Sequence, residues 1–455
     1  MRKALLWIVS STTLAQTWQN VAGGVDGTVE VLYSWQGALY VGGRFQYAGG
    51  TALQTNGIAR YLGAQGWQRV GPGQGAGGTG HVYAITEYQG KLIVGGEFSG
   101  IGNSSAQNLA AYDPVSNTWS AVGGGVSGPV YALAVYQGEL LVGGGFTQVG
   151  NPPQPIAFFA RWNGSQWLAP DPNNTSQLLM GGVPRAFIVF QNKLYVAGSF
   201  VAAYYNETDK AYLAIWNKSL QRLEAAYPAG QGPNNNIWAA VVWNNKLYLG
   251  GDFTTFGTAS GKLVAFDGIQ AQSVPGAPTS GSVRALLATG TDLYVAGSFS
   301  ALGNGMTVNR IAKLSSSGSW SSFGNGLGPT VVNALAWHVN TLYAGGNFTQ
   351  DGSGGVSLAR IAVFSSSSSL PLSEKEAPLR LLSTSPGEYS VLALAPITDG
   401  RIRIVDLSGR IYWEESIQLA PGHRYPIPLP SERGTYLIHL YDKEGQSFFA
   451  RLVRL

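Results

Sequence analysis

Without cysteine, nucleophilic and metal chemistry rests mainly on histidine and the carboxylates. This chain of 455 residues has no cysteine and four histidines, His81, His338, His423 and His439. No two of them have metal-ligand spacing, and nothing marks one as the base of a nucleophilic triad. Glycoside hydrolysis needs two carboxylates about 5–10 Å apart. Of 24 acidic residues 10 fall after residue 370, which leaves 14 before it, with no spacing that singles out a pair. A different set stands out. Glu30, Tyr83, Tyr131, Arg185, Trp238, Arg284 and Asn333 each stand second in an apolar stretch. The neighbouring positions are small or apolar and monotonous; this one is large, polar or aromatic and changes every time. Aromatic residues and arginine are what binding hot spots favour. Trp and Tyr faces stack naturally on sugars or peptide groups. The plain alternative is side chains that merely pack between repeats and cap a channel.

A repeat positions them. LYVGGRF at Leu39–Phe45 recurs at Leu92–Phe98, Leu140–Phe146, Leu194–Phe200, Leu247–Phe253, Leu293–Phe299 and Leu342–Phe348. The closing phenylalanines are 53, 48, 54, 53, 46 and 49 residues apart. Ten residues before each copy opens the stretch that carries the variable position. A third stretch follows each phenylalanine, from IARY at Ile58–Tyr61 to IAVF at Ile361–Phe364. A fourth opens with Trp18, Trp67, Trp119, Trp167 or Trp320, while repeats four and five have Leu220–Leu223 and Ile269–Val274 there. Four short strands per repeat, with turns such as Gln36-Gly37 and Asn244-Asn245, are the unit of a β-propeller blade. The glycine pair is expected to admit a bulky side chain of the neighbouring blade. The last repeat lacks a fourth strand and the N-terminal side has a spare one. Pairing of Trp18–Val21 with Ile361–Phe364 would therefore close the ring and remove two open edges.

Composition agrees. Glycine is 63 of 455 residues and only 11% are charged, against usual shares of about 7% and about 25%. Net charge is +4 with no Lys/Arg run, so there is no nucleic-acid footprint. Arg2-Lys3, the stretch Ala4–Ala15 and small residues before Gln16 read as a secretory signal peptide over residues 1–15. No transmembrane segment is expected, since about 20 apolar residues are needed to span a bilayer. After Phe364 a serine run and two prolines read as a linker, residues 365–379. From residue 371 onward 20 of 85 residues are charged, and Arg401–Asp406 alternates with period two. The fold class predicted is all-β: a seven-bladed β-propeller over residues 16–364, then a small C-terminal β-sandwich over 380–455.

The glycine doublet, the following aromatic and the later tryptophan (Tyr61 to Trp67, Tyr112 to Trp119) resemble kelch-type propellers. They are closer to secreted "LYVGG-F" propellers with cortical-polarity-marker-like and delta-60-like repeats. Ile402, Ile404, Asp406, Gly409, Arg410, Leu419, Gly422, Gly434-Thr435-Tyr436 and the Arg451–Leu455 end resemble the type A sorting domain of bacterial type IX secretion. The usual opening motif is replaced by Ser385-Pro386-Gly387. That resemblance implies export, with the secretion machinery as partner of the C-terminal domain. The expectation is a secreted or outer-surface, non-catalytic protein with no metal or cofactor. Its ligand, a glycan or a surface protein, would meet Tyr83, Tyr131, Arg185, Trp238 and Arg284. A carbohydrate-active enzyme and a self-assembling surface protein are the alternatives. Tyr204 and Tyr205 form a second aromatic candidate.

Overall fold

The computed structural model describes residues 16–366 except 78–79, 176–178 and 204–207. It also describes residues 379–385, 388–393, 397–406, 411–419, 424–428, 434–442 and 447–454. The signal-peptide reading and the Tyr204–Tyr205 loop therefore lie outside the described residues, as do Gly409, Arg410 and Gly422. The chain divides into two compact units, Met1–Ser367 and Ser368–Leu455. No α-helix occurs among the described residues; there are two single 3-10 turns, Gly63–Gln65 and Thr208–Lys210. Among the described residues no helix is long and apolar enough to cross a membrane.

The first unit is a ring of seven four-stranded antiparallel sheets. Blade one, from the axis outward, is Thr28–Trp35, Ala38–Arg44, Ile58–Tyr61 and Trp67–Gln68. The two inner strands meet at two-residue turns. Both turn residues have positive φ at Gln36-Gly37, Gln89-Gly90, Gln137-Gly138, Gln191-Asn192 and Asn244-Asn245, which matches the twist of antiparallel hairpins. Blade seven takes its outermost strand from the other end of the chain. Gln16–Asn20 pairs with Ala362–Ser366, Trp18 facing Phe364. The ring closes as the spare strand implied, with the pairing shifted outward: Val21 is free of it, and Ser365 and Ser366 join it.

Six of the seven junctions between blades are tied by a tryptophan. The indole N–H of Trp119 donates to the Val70 carbonyl at 2.8 Å, just past the outermost strand of the blade before. Trp167 reaches Gly123 at 2.8 Å, Trp320 reaches Pro275 at 2.8 Å, Trp18 reaches Phe323 at 3.0 Å and Trp67 reaches Val21 at 3.1 Å. Blade four lacks the outer tryptophan, yet Trp216 on its third strand makes the same bond to Pro170 at 3.0 Å. At the blade four to five junction Tyr227 packs edge-on against Phe256 at 5.5 Å instead.

The two glycines of the repeat do different work. The first meets the next blade: a Cβ on Gly42 would lie 2.6 Å from Val82 Cγ1, and one on Gly143 would lie 2.8 Å from Pro184 Cβ. Blades four and six tolerate Ala197 and Ala296 there. The second is glycine in all seven blades, and its constraint comes from inside its own blade. Every innermost strand carries a β-bulge, at Val29/Val31, Val82/Ala84, Val130/Ala132, Pro184/Ala186, Ile237/Ala239, Val283/Ala285 and Val332/Ala334. The bulge drives a main-chain carbonyl into the space a Cβ would fill: Thr28 against Gly43, His81 against Gly96, Ser282 against Gly297. The expectation that both glycines serve the neighbouring blade is thus corrected for the second.

In the second unit the described strands form a three-stranded sheet, with Leu379–Ser385, Glu388–Ala393 and Arg424–Ile427, and a four-stranded one. The latter holds Ile397–Asp406, Ile411–Leu419, Gly434–Asp442 and Ser447–Arg454. Ile402 and Ile404 are buried and Arg401 is exposed, the alternation that the sequence pattern predicts.

Two measurements follow from this fold. Gly95→Ala should lower the melting temperature, and Val130→Ala should partly restore it, because the obstruction is a side chain. Gly96→Ala should be at least as damaging, with no rescue by any side-chain truncation, because the obstruction is the His81 carbonyl; equal rescue of both would refute the distinction. The second concerns the seam. His338, buried at the end of the innermost strand of blade seven, sits with Nδ1 2.9 Å from Ser34 Oγ of blade one and its ring edge-on to Tyr343. Burial holds its pKa below the ordinary histidine value of about 6.5. The unfolded chain therefore takes up the proton first as pH falls. This contribution to stability is full above about pH 6.5 and is lost as pH drops toward the lower folded value. Between about pH 7.5 and pH 5.5 the fall in melting temperature should be smaller for His338→Gln than for the parent.

Candidate ligand-binding site

The bulged residues are Glu30, Tyr83, Tyr131, Arg185, Trp238, Arg284 and Asn333, one per blade. A bulge leaves its extra residue out of the ladder and re-aims its side chain. Here the re-aiming is repeated around the axis. All seven line one cavity of about 520 Å³, together with Arg44, Ser298 and Val331. Further along the channel small and apolar residues take over, among them Val31, Ala84, Ala132, Ala186 and Phe187. The mouth is thus a charged and aromatic cup on an apolar stem.

The cup is held as a chain of stacked rings and guanidiniums. Tyr83 and Tyr131 lie 5.1 Å apart, centroid to centroid. Arg185 sits 3.9 Å from the Tyr131 centroid and 4.9 Å from that of Trp238. Arg284 lies 4.2 Å from Trp238, and Arg44 5.2 Å from Tyr83. Such cation–π contacts strengthen where water is excluded.

Carboxylates complete the arrangement. Glu30 accepts from Arg44 Nε at 3.0 Å through one oxygen and from Asn333 Nδ2 at 3.1 Å through the other. Burial raises the Glu30 carboxyl above its ordinary value, against the opposing pull of Arg44. Asp252 lies 3.9 Å from Arg284. Burial pushes its carboxyl up, but Ser282, Trp238, Arg284 and Asn236 outweigh that and hold it below the carboxylate range. Tyr83 donates to Glu97 at 3.2 Å, and its phenol is pushed up by burial. His81 Nδ1 is 3.1 Å from the same hydroxyl; burial, then Arg44, lower its pKa. His338 belongs to the opposite end of the innermost strands, so the two propeller histidines do not meet. No group of three or more metal-binding side chains occurs among the described residues.

The structure therefore brings together all five residues singled out for binding. Arg44 and Asp252 share a position of the repeat, between the second glycine and the phenylalanine. That position varies as freely as the bulged one, and the contrast was the available signal.

No family model matches the sequence, and no curated protein matches it. Among solved structures it is similar to the extracellular domain of a protein from B. thetaiotaomicron described as a hybrid two-component system. The identity is 12% and the TM-score 0.52, over 97% of this chain and 59% of that one. This chain thus spans about three-fifths of that structure. The Neurospora crassa Pan2 WD40 domain matches at 9% identity and TM-score 0.41, over 77% of this chain and 95% of that one. The computationally designed Ika8 protein matches at 11% and 0.41, over 95% and 100%. At 12% identity the first of these likenesses is one of fold, and with the seven closed sheets it makes the first unit of this chain a seven-bladed β-propeller.

Proposed function

We propose that this protein is a non-catalytic binding protein of the cell exterior, and that its ligand, a glycan or a surface protein, enters the central mouth of the propeller. One observation carries the reading: the position that a bulge frees from the strand ladder in every blade holds an aromatic, charged or amide side chain each time, and all seven line one cup. Both oxygens of Glu30 are engaged by Arg44 and Asn333, which fits a carboxylate that braces the cup rather than one that shuttles protons. A cavity of about 520 Å³ falls within the size range of small-ligand sites, about 300–1,000 Å³.

Residues 1–15 as a signal peptide, 16–364 as kelch-like "LYVGG-F" propeller, 365–379 as linker and 380–455 as a type A sorting domain complete the proposal. Supporting the exterior setting is a neighbour of like fold that is itself an extracellular domain. The rise in charge after residue 370 and the buried Ile402 and Ile404 of an alternating strand fit a separate β module with its own core.

A glycan and surface-protein array probed with the full chain should yield a ligand. Trp238→Ala and Tyr131→Ala should then weaken it by about tenfold or more each, as expected for buried aromatic contacts, with the melting temperature held. Parental affinity in both variants would move the site elsewhere. A reporter fused to residues 380–455 should appear outside a host that has type IX secretion. A reporter that stays periplasmic would leave that segment an accessory domain.

A further inference from the structure

The three arginines of the cup are not equivalent. Arg44 has Glu30 at 3.0 Å and Arg284 has Asp252 at 3.9 Å. Arg185 has no such partner among the described residues, and its Nε is buried without a hydrogen bond. A half-buried cation with no carboxylate in direct contact is costly, and Glu30 acts on this one only across the cup. What holds it is stacking: its guanidinium lies between the Tyr131 and Trp238 rings at 3.9 Å and 4.9 Å. A guanidinium held by its faces keeps its N–H edge for in-plane hydrogen bonds, and that edge matches the two oxygens of a carboxylate. Rotamer and stacking are already in place, so little is left to order on binding.

The rest of the lining narrows the ligand. Beside the charged groups stand Asn333, Ser298 and the Tyr83 hydroxyl, neutral hydrogen-bonding partners for hydroxyls. The space is a cup of about 520 Å³, the size of a pocket for a small ligand, about 300–1,000 Å³. We infer that the cup takes a carboxylate-bearing saccharide, with Arg185 as the partner of the uronate carboxylate and the flanking rings as its walls. The inference rests on the central mouth being the binding site.

The test is calorimetric titration of the full chain with trimeric oligogalacturonate, oligoglucuronate and oligomannuronate, each beside its neutral methyl ester. At least one acid should bind about tenfold or more tightly than its ester, about 1.4 kcal/mol. Arg185→Gln should remove that preference, lowering the affinity of the acid by about tenfold more than that of its ester. Arg185→Lys, which keeps the charge but loses the planar fork, should restore only part of it. Equal binding of acid and ester, an acid preference that survives Arg185→Gln, or no binding of any of the six probes overturns the inference. So does an acidic peptide that depends on Arg185 while the saccharides fail. A neutral ligand lost in Trp238→Ala but indifferent to Arg185→Gln overturns the carboxylate and keeps the mouth. A ligand indifferent to both variants overturns the mouth itself.

Discussion

A single main-chain carbonyl in each blade, lodged where a side chain would begin, is the constraint on which this molecule turns. In blade two it is the His81 oxygen against Gly96, and the same contact recurs in the other six. Because the second strand offers no Cβ at that point, the innermost strand can take in an extra residue. Because it does, one side chain per blade leaves the ladder. The invariant glycine and the variable binding position are thus two sides of one backbone feature. Remove the glycine and the bulge has no room; remove the bulge and the mouth loses its lining.

Around that feature the ring is kept rigid by interactions that repeat without regard to the mouth. The closing phenylalanines are all buried. The residue just before the bulge, such as Val82 or Val130, wedges into the gap left by the first glycine of the blade before in five of the seven junctions. The indole latches join six of the seven junctions through the carbonyl just beyond the previous outer strand. Strand exchange at blade seven puts backbone hydrogen bonds across the join between chain ends. A stiff frame of this kind suits a site whose parts come from seven separate strands, since small displacements of one blade would misalign its contribution.

Much of this was legible in the residues. Seven copies of one heptapeptide count the blades, and the one-strand offset between the ends states how the ring closes. The variable position was visible by contrast: packing poses the same steric problem in each repeat, so a residue that changes every time answers to something else. The bulge itself was not readable, since it is a matter of register rather than composition. Its trace was there all the same, in a second glycine that never varies beside a first that twice becomes alanine, at Ala197 and Ala296. Trp216 was missed because the latch of blade four starts from the third strand, where the sequence shows only one more aromatic in a row of Tyr, Trp and Phe. The pairings of Arg44 with Glu30 and of Arg284 with Asp252 depend on which blade a side chain leans toward. Spacing along the chain does not encode that.

The bulge also bears on how such a protein changes over generations. A residue outside the ladder makes no demand on the backbone pairing of its blade, so its replacement leaves the strand register intact and is felt only by the side chains that stack on it or bond to it across the mouth. Each of the seven mouth positions can change without unpicking the ladder of its blade, and selection for a new ligand acts on them without first passing through misfolded intermediates. Specificity and architecture are thereby inherited as separate characters of the same gene product: a fixed wheel, and a hub whose seven letters can be respelled one at a time.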